Sequence, residues 1–403
     1  MTSEVDVLVL DGESRAALAV VRSLGQKNLN IWVCTHQTLA LASSSKFAGK
    51  TLACPEPNKD PERYKSWLLE TVGKFKPRML LPIVDTSLRL VLESASSLPK
   101  ETILPFIDLS VFNKINDKAS LLNAARRLGL DVPETLVFKT SDLDSSEVRG
   151  KLNAFPFPAV VKPLSSKIFL DNQFVSPPVL YPNTVQELTS LVDSERLNSN
   201  VTYLLQQKIT GAGTGVFAVF KDGKLLANFA HRRLLEKPPT GGVSVLSEST
   251  APNSAPIEQA MNLLKHFSWH GVAMVEFKQH LDGKFYLLEI NPRFWGSLQL
   301  AIDSGRDFPG ILWDALSGDS NVAIVGHEPY KVGQRLRWSL GTLDHAIALV
   351  RENPPQAVKS ILARNTLALA SQWSHTRSEV FRLSDPKPFF VEFWHWLLCL
   401  VKR

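Results

Sequence analysis

Two stretches of this chain place acids, an amide and an arginine where they can meet. Gly271-Val272-Ala273-Met274-Val275-Glu276-Phe277 and Tyr286-Leu287-Leu288-Glu289-Ile290-Asn291-Pro292-Arg293 flank the turn sequence Asp282-Gly283-Lys284. A tight turn between two apolar runs predicts an antiparallel hairpin, which brings Glu276 near Glu289. Alternation along a strand puts Glu289 and Asn291 on one face and is expected to turn Val275, Phe277, Leu288 and Ile290 to the core. Two carboxylates and an amide oxygen make a hard-oxygen set, which suits Mg²⁺ that keeps water and phosphate oxygens as its other ligands. For Glu276 alone, an ordinary solvated strand reads equally well. The run from Glu289 to Arg293 says more, because acid, amide and arginine gather at a strand end, where α/β proteins place ligand groups.

The elements that must carry this cluster are legible from both sides of it. Residues 5–10 form an apolar run of strand length, Asp11-Gly12-Glu13-Ser14 is turn and helix-start chemistry, and 15–24 read as a helix leading to a strand at 31–34. This βαβ opening predicts a parallel, Rossmann-like sheet with a right-handed crossover. A helix near 61–75 and a strand at 79–84, ending at Asp85, continue the pattern to about Leu109. A single glycine follows the first strand, so no dinucleotide fingerprint is present, and this part is expected to form one wall of a substrate cleft. From Asn116 the texture changes: Asp117-Lys118 opens a helix stopped by Gly129, and alternating strands and helices run to Gly318 with hairpins at Asp222-Gly223 and Asp282-Gly283.

At 403 residues the chain is long enough for two or three domains. Its 44% hydrophobic and 21% charged residues are the balance of a soluble globular protein. The net charge of +6 is modest, the basic residues are scattered, and no nucleic-acid motif is present, so no nucleic-acid partner is expected. Cys34, Cys54 and Cys399 are too few and too separated for a disulfide framework or a zinc site. With an acidic rather than basic start to the chain, a cytoplasmic location is expected. The aromatic run 389–401, followed by Lys402-Arg403, is short for a membrane span of about 20 residues. It reads as a terminal helix docked on the protein or on a partner subunit; peripheral membrane contact is the alternative, since aromatics beside basic residues suit an interface.

The Glu-x-Asn-Pro-Arg end, Glu276, Val160-Val161-Lys162-Pro163, and Asp117-Lys118 with the downstream Pro133-x-Thr135 together resemble the ATP-grasp superfamily, in its carbamoyl-phosphate synthetase and biotin-carboxylase-like branch. The resemblance covers roughly residues 116–318. It implies an α/β chain of three parts: a Rossmann-like preATP-grasp domain (1–109), a two-lobed α+β ATP-grasp core with ATP between the lobes (110–318), and a helical C-terminal extension (319–403). It further implies Glu276, Glu289 and Asn291 as ligands of Mg²⁺ (or Mn²⁺), and Lys118 and Lys162 as the lysines that reach the phosphates of ATP. Gln206, Gln207, Lys208 and Ile209 match the hinge that holds adenine, and Arg293 matches the catalytic arginine that steadies the anionic substrate or acyl phosphate. The sequence departs from the pattern twice. No acid stands near Gly213 to meet the ribose, and Leu164-Ser165-Ser166-Lys167 replaces a glycine-rich loop. Arg15, Asp85 and Arg232 are assigned to the substrate wall, beside His231 and Gly241-Gly242. The activity implied is ATP-dependent ligation of a small carboxylate to an amine or thiol through an acyl phosphate. A bicarbonate-using carboxylase-like enzyme and a non-catalytic ATP-binding subunit are the alternatives. Related enzymes lead to the expectation of a homodimer.

Overall fold

The computed structural model describes residues 5–194, 196–239, 241–252, 255–318, 329–352 and 375–401. The first strand, β1 (Val7–Val9), is buried along its whole length, as a central parallel strand covered on both faces must be. It pairs in parallel with β2 (Ile31–Thr35) and β4 (Met79–Leu81), and β3 (Lys50–Ala53) extends the sheet beyond β2. Three helices accompany it: α1 (Arg15–Gly25), capped by the Ser14 hydroxyl; α2 (Pro61–Phe75), begun by Asp60 and a first-turn proline; and α3 (Asp85–Ser94). Asp11, buried just past β1, accepts hydrogen bonds from the Ile83 and Val84 amides at 2.8 and 3.0 Å. That fastens the end of β1 to the start of α3. Arg15 and Asp85, the first residues of α1 and α3, thus both stand at the C-terminal edge of the sheet, where α/β folds place their ligands.

Two short helices, α4 (Leu109–Asn116) and α5 (Lys118–Arg127), lead out of this domain; the Asp117 carboxylate caps α5 by accepting from the Ala119 and Ser120 amides. A small lobe follows, built from β5 (Thr135–Phe138), α6 (Ser146–Asn153), β6 (Ala159–Pro163), the hairpin β7 (Ile168–Leu170) and β8 (Gln173–Val175), α7 (Val185–Asp193) and β9 (Tyr203–Gln207). Its sheet runs in the order β5-β9-β6 over a core that includes Phe138, Val161, Leu188 and Leu205.

The large lobe is a seven-stranded sheet. It comprises β10 (Gly211–Lys221), β11 (Lys224–Lys237), β12 (Val243–Ser249), β13 (Gly271–His280), β14 (Phe285–Asn291), β15 (Arg335–Arg337) and β16 (Thr376–Ser378), in the order β14-β13-β10-β11-β12-β15-β16. Helices α8 (Ala255–His266), α9 (Leu298–Asp303), α10 (Phe308–Leu316) and α11 (Ser339–Glu352) accompany it, and α12 (Lys387–Val401) ends the described chain. Buried residues of this lobe, Phe217, Trp269 and Phe294 among them, form one continuous core with α1 and the N-terminal sheet.

Helices, hairpins and the parallel opening stand where the spacing predicts them. One expectation changes: the C-terminal extension is not purely helical, because β15 and β16 lengthen the large sheet. Residues 319–328 and 353–374 of that extension lie outside the described residues. The helix α12 docks on the protein itself. Its Trp396 indole donates to Asp344 Oδ1 at 3.0 Å, and its Glu392 Oε1 accepts from the Trp338 indole at 2.7 Å. The opposite face leaves Phe390 and Trp394 exposed. No helix among the described residues is long and apolar enough to cross a membrane.

Candidate active site

A cavity of about 480 Å³ lies between the two lobes, and Arg15 of the N-terminal domain lines it as well. The strands set its walls by alternation. On β6, Val161 points into the small-lobe core while Val160 and Lys162 face the cavity. From the end of β9 the chain crosses to the large lobe through Gln206, Gln207, Lys208 and Ile209, all of which line the cavity. Two amides of this crossing are bound to the small lobe: Gln207 N–H to the Glu134 carbonyl at 2.8 Å and Lys208 N–H to the Pro158 carbonyl at 3.1 Å. The Gln206 side chain is buried, and its amide nitrogen donates to Thr135 Oγ1 at 3.2 Å.

The floor is β13 and β14, joined through Asp282-Gly283. Glu276 and Glu289 are direct cross-strand partners. The Asn291 amide nitrogen donates to Glu276 Oε1 and Glu289 Oε1, both at 3.3 Å, so the three groups converge on one point. Immediately beyond this pair a β-bulge shifts the register, and Phe277 pairs with Leu287. Leu287 is therefore the buried residue and Leu288 lines the cavity, opposite to simple alternation.

Cations surround the acids. Lys118, buried at the start of α5, places Nζ 3.4 Å from Glu289 Oε2 and donates to Ser166 Oγ at 2.8 Å. Arg233 reaches Glu276 Oε2 at 2.8 Å and Glu236 Oε1 at 3.2 Å. Burial, reinforced by the positive charge of Lys118, pushes the Lys162 ammonium down to about 8, against the pull of Glu289 and Glu276. For Glu289, burial opposes ionisation, but Lys118 and Lys162 overcome it and hold the carboxyl down at about 2. Glu276 is shifted the other way, upward, by burial and by the Glu289 charge against the counter-effect of Arg233. Two like acids face to face split in this manner when the cations favour one of them.

Of the remaining expected residues, Arg293 lines the cavity but is held from behind. Its Nε and NH2 both donate to the Asp85 carboxylate at 2.8 Å, NH1 donates to the Phe294 carbonyl at 3.1 Å, and NH2 also reaches Asn291 Oδ1 at 3.3 Å. Asp85 therefore binds an arginine rather than forming an open substrate wall. Arg232 is absent from the cavity lining: strand alternation turns it to the other face, where it pairs with Glu248 at 2.6 Å. Its neighbours His231 and Arg233 line the cavity instead. Arg15 lines it too.

Sequence reasoning missed Glu236 and Lys278, which form an ion pair at 3.4 Å on the cavity wall. Lys278 follows Glu276 by two residues on one strand, a spacing that could have revealed it. Glu236 was hidden because register shifts on both sides of Leu235 move the inward position from 235 to 236. Its carboxylate stands over Gly213: a Cβ on that glycine would lie 2.9 Å from Glu236 Oε1. The loop after Lys162 also has its own arrangement. Ser165 Oγ donates to the Asn116 carbonyl at 3.2 Å, and the following hairpin seats Phe174 in the core of the N-terminal domain.

The donor set can be tested against a divalent cation. Among the described residues no group of three or more His, Cys, Asp or Glu side chains is placed to hold a metal. Two carboxylates and an amide fit Mg²⁺ nonetheless, since that ion takes one or two carboxylates and completes its shell with water and phosphate oxygens.

Residues 199–338 match the family described as ATP-grasp in the biosynthetic pathway with Ter operon. The chain carries an ATP-grasp domain. Over 101 residues, 25% of this chain, it is 29% identical to a D-aspartate ligase of Enterococcus faecium (strain Aus0004). That match spans only 24% of the relative's own length. Among solved structures, the fold is similar to the L-amino acid ligase of Bacillus licheniformis, with a TM-score of 0.60 and 15% identity over 79% of this chain and 75% of that one. It is also similar to the biotin carboxylase of Campylobacter jejuni, with a TM-score of 0.63 and 14% identity over 83% and 75% of the two chains.

Proposed function

We propose that the chain is an ATP-dependent carboxylate–amine ligase that works through an acyl phosphate. The observation that carries this reading is the meeting of Lys162, Glu276, Glu289 and Asn291 in an interlobe cavity, with Lys118 paired to Glu289 from the adjoining side. Adenine would lie against the hinge from Gln206 to Ile209, and Glu236 would accept from the ribose hydroxyls in place of the acid missing at Gly213. Lys118 and Lys162 would then meet the phosphates as mobile point charges. Glu276, Glu289 and Asn291 would hold Mg²⁺, which would supply further neutralisation of the triphosphate. A substrate carboxylate oxygen attacks the γ-phosphorus, the bond to the β-bridging oxygen breaks, and ADP leaves. An amine then attacks the acyl carbon and expels inorganic phosphate, losing its proton to solvent. No protein nucleophile is needed, because positioning and charge neutralisation lower the barrier.

The match to a D-aspartate ligase favours an amine over bicarbonate as the second partner. The decisive experiment is a screen of acids for Mg²⁺-dependent ADP release, with hydroxylamine present to trap the acyl phosphate as a hydroxamate. Wild-type chain should yield hydroxamate, and Glu289→Ala should yield none. ADP release driven by bicarbonate alone, or full activity in Glu289→Ala, refutes the assignment.

A further inference from the structure

Three arginines line the cavity, and they differ in what is left of their hydrogen-bonding capacity. Arg293 has spent Nε, NH1 and NH2 on Asp85, the Phe294 carbonyl and Asn291. Arg233 is divided between Glu276, Glu236 and the Gly242 carbonyl. Arg15 uses only Nε, which donates to Glu379 Oε1 at 2.9 Å. Among the described residues its NH1 and NH2 groups have no protein acceptor.

Arg15 is also held still. Its guanidinium carbon lies 3.5 Å from the centroid of the Trp338 ring, a stacked cation–π contact. Glu379, with a side chain only 4% exposed, fixes one edge of the fork. The other edge faces the turn after β14, where a Cβ on Gly296 would lie 3.2 Å from NH2. A rigid planar fork with its outer nitrogens open to a cavity matches a carboxylate in size, charge and bidentate geometry. An arginine needed only for structure would have those nitrogens on protein acceptors, as Arg293 does.

We propose that Arg15 is the receptor for a carboxylate that passes through the reaction unmodified. One of the two substrates therefore carries an anionic group besides the group that reacts: either a dicarboxylic acid, activated at its other end, or an amino acid that serves as the amine. Glu379 acts as a positioning residue, presenting the fork of Arg15. This inference rests on the proposed ligase reading, and its test separates the two.

The full-length chain is saturated with MgADP and titrated calorimetrically with matched probes. Succinate and D-aspartate against butyrate report on the acid; L-alanine against alaninamide reports on the amine. In one arm the probe with the extra carboxylate should bind at least about tenfold more tightly, the worth of a charge-assisted hydrogen bond. Arg15→Gln should erase that preference while leaving MgADP affinity unchanged, which also shows that the variant is folded. Arg15→Lys should restore part of it. In turnover assays Arg15→Gln should raise KM for the same substrate far more than it lowers kcat. Equal binding within both pairs, or a preference that survives Arg15→Gln, overturns the inference. Loss of MgADP binding by the wild-type chain would instead count against the ligase reading itself.

Discussion

Asp85 offers a sharp test of how the site is held together, because two readings of it predict different kinetics. As a wall residue it would touch the substrate directly. In the structure it grips Arg293 through two hydrogen bonds of 2.8 Å, and Arg293 in turn reaches Asn291, which bridges Glu276 and Glu289. Each charge-assisted bond of this kind is worth about 1.5–3 kcal/mol. Asp85→Ala releases a guanidinium beside two carboxylates, and the nearest new partners for it are the acids that would hold Mg²⁺. The freed arginine then competes with the metal. Residues that orient metal ligands from behind typically change metal affinity or activity by about 10–100-fold, or about 1.4–2.7 kcal/mol. Asp85→Ala should therefore weaken Mg²⁺ binding to the ADP complex by that factor in titration calorimetry and slow ADP release at limiting Mg²⁺. Saturating Mg²⁺ should recover much of the rate, and Asp85→Asn, which keeps one acceptor, should fall between. An unchanged Mg²⁺ dependence accompanied by a raised KM for the acid would refute the reasoning and return Asp85 to the substrate wall.

Other predictions follow from single groups. Lys162 has its pKa lowered to about 8 from an ordinary 10.5, so its charge is lost as pH rises through 8. ADP affinity should then fall by up to about tenfold per pH unit above that point, and Lys162→Met should flatten the profile. The sign for stability is opposite: between about 8 and 10.5 the unfolded chain binds the extra proton, so this group favours the folded state increasingly with pH, measurable in urea unfolding at two pH values. Asp385→Ala strips the buried Arg22 of its partner, in a pair whose side chains are 5% and 2% exposed. It should cost about 3–5 kcal/mol of folding stability, and a loss below about 1 kcal/mol in denaturant melts would contradict the pairing. Arg232→Ala removes a side chain that is 52% exposed and bound to Glu248 outside the cavity. ADP release should stay within about twofold of wild type, and stability should change by less than about 1 kcal/mol.

The parts of this protein that follow local rules were legible in its residues. Val5 to Asp85 read as a parallel sheet because apolar runs, caps and a first-turn proline recur at the right spacing, and Asp117 marks a helix start that the structure keeps. The meeting of Glu276 with Glu289 was equally readable, since Asp282-Gly283 fixes the hairpin and the hairpin fixes the partners. Failures began at bulges. One extra residue on β14, between the partners of Glu276 and Phe277, reverses Leu287 and Leu288, and shifts around Leu235 bring Glu236 inward. A period-two reading has no means of seeing such a slip, because the bulge is set by how neighbouring strands twist against one another.

The choice among arginines was hidden for a different reason. Arg15, Arg232, Arg233 and Arg293 look alike in sequence, and what separates them is which acid each one meets across the fold. Arg293 meets Asp85 from a sequence distance of 208 residues, and Arg15 meets Glu379 from 364. The second pair also gives the C-terminal extension a purpose that its composition does not suggest. The same segment supplies Asp385 to Arg22 and the 380 carbonyl beside it, while Trp338 and Glu392 stack and bond behind Arg15. The extension thus reaches back over α1 and presents one arginine of the first domain to a cavity built mainly by the second. If specificity is set there, it is set by three segments far apart in the chain, and substitutions at Glu379 or Trp338 would alter substrate choice without touching a single nucleotide contact.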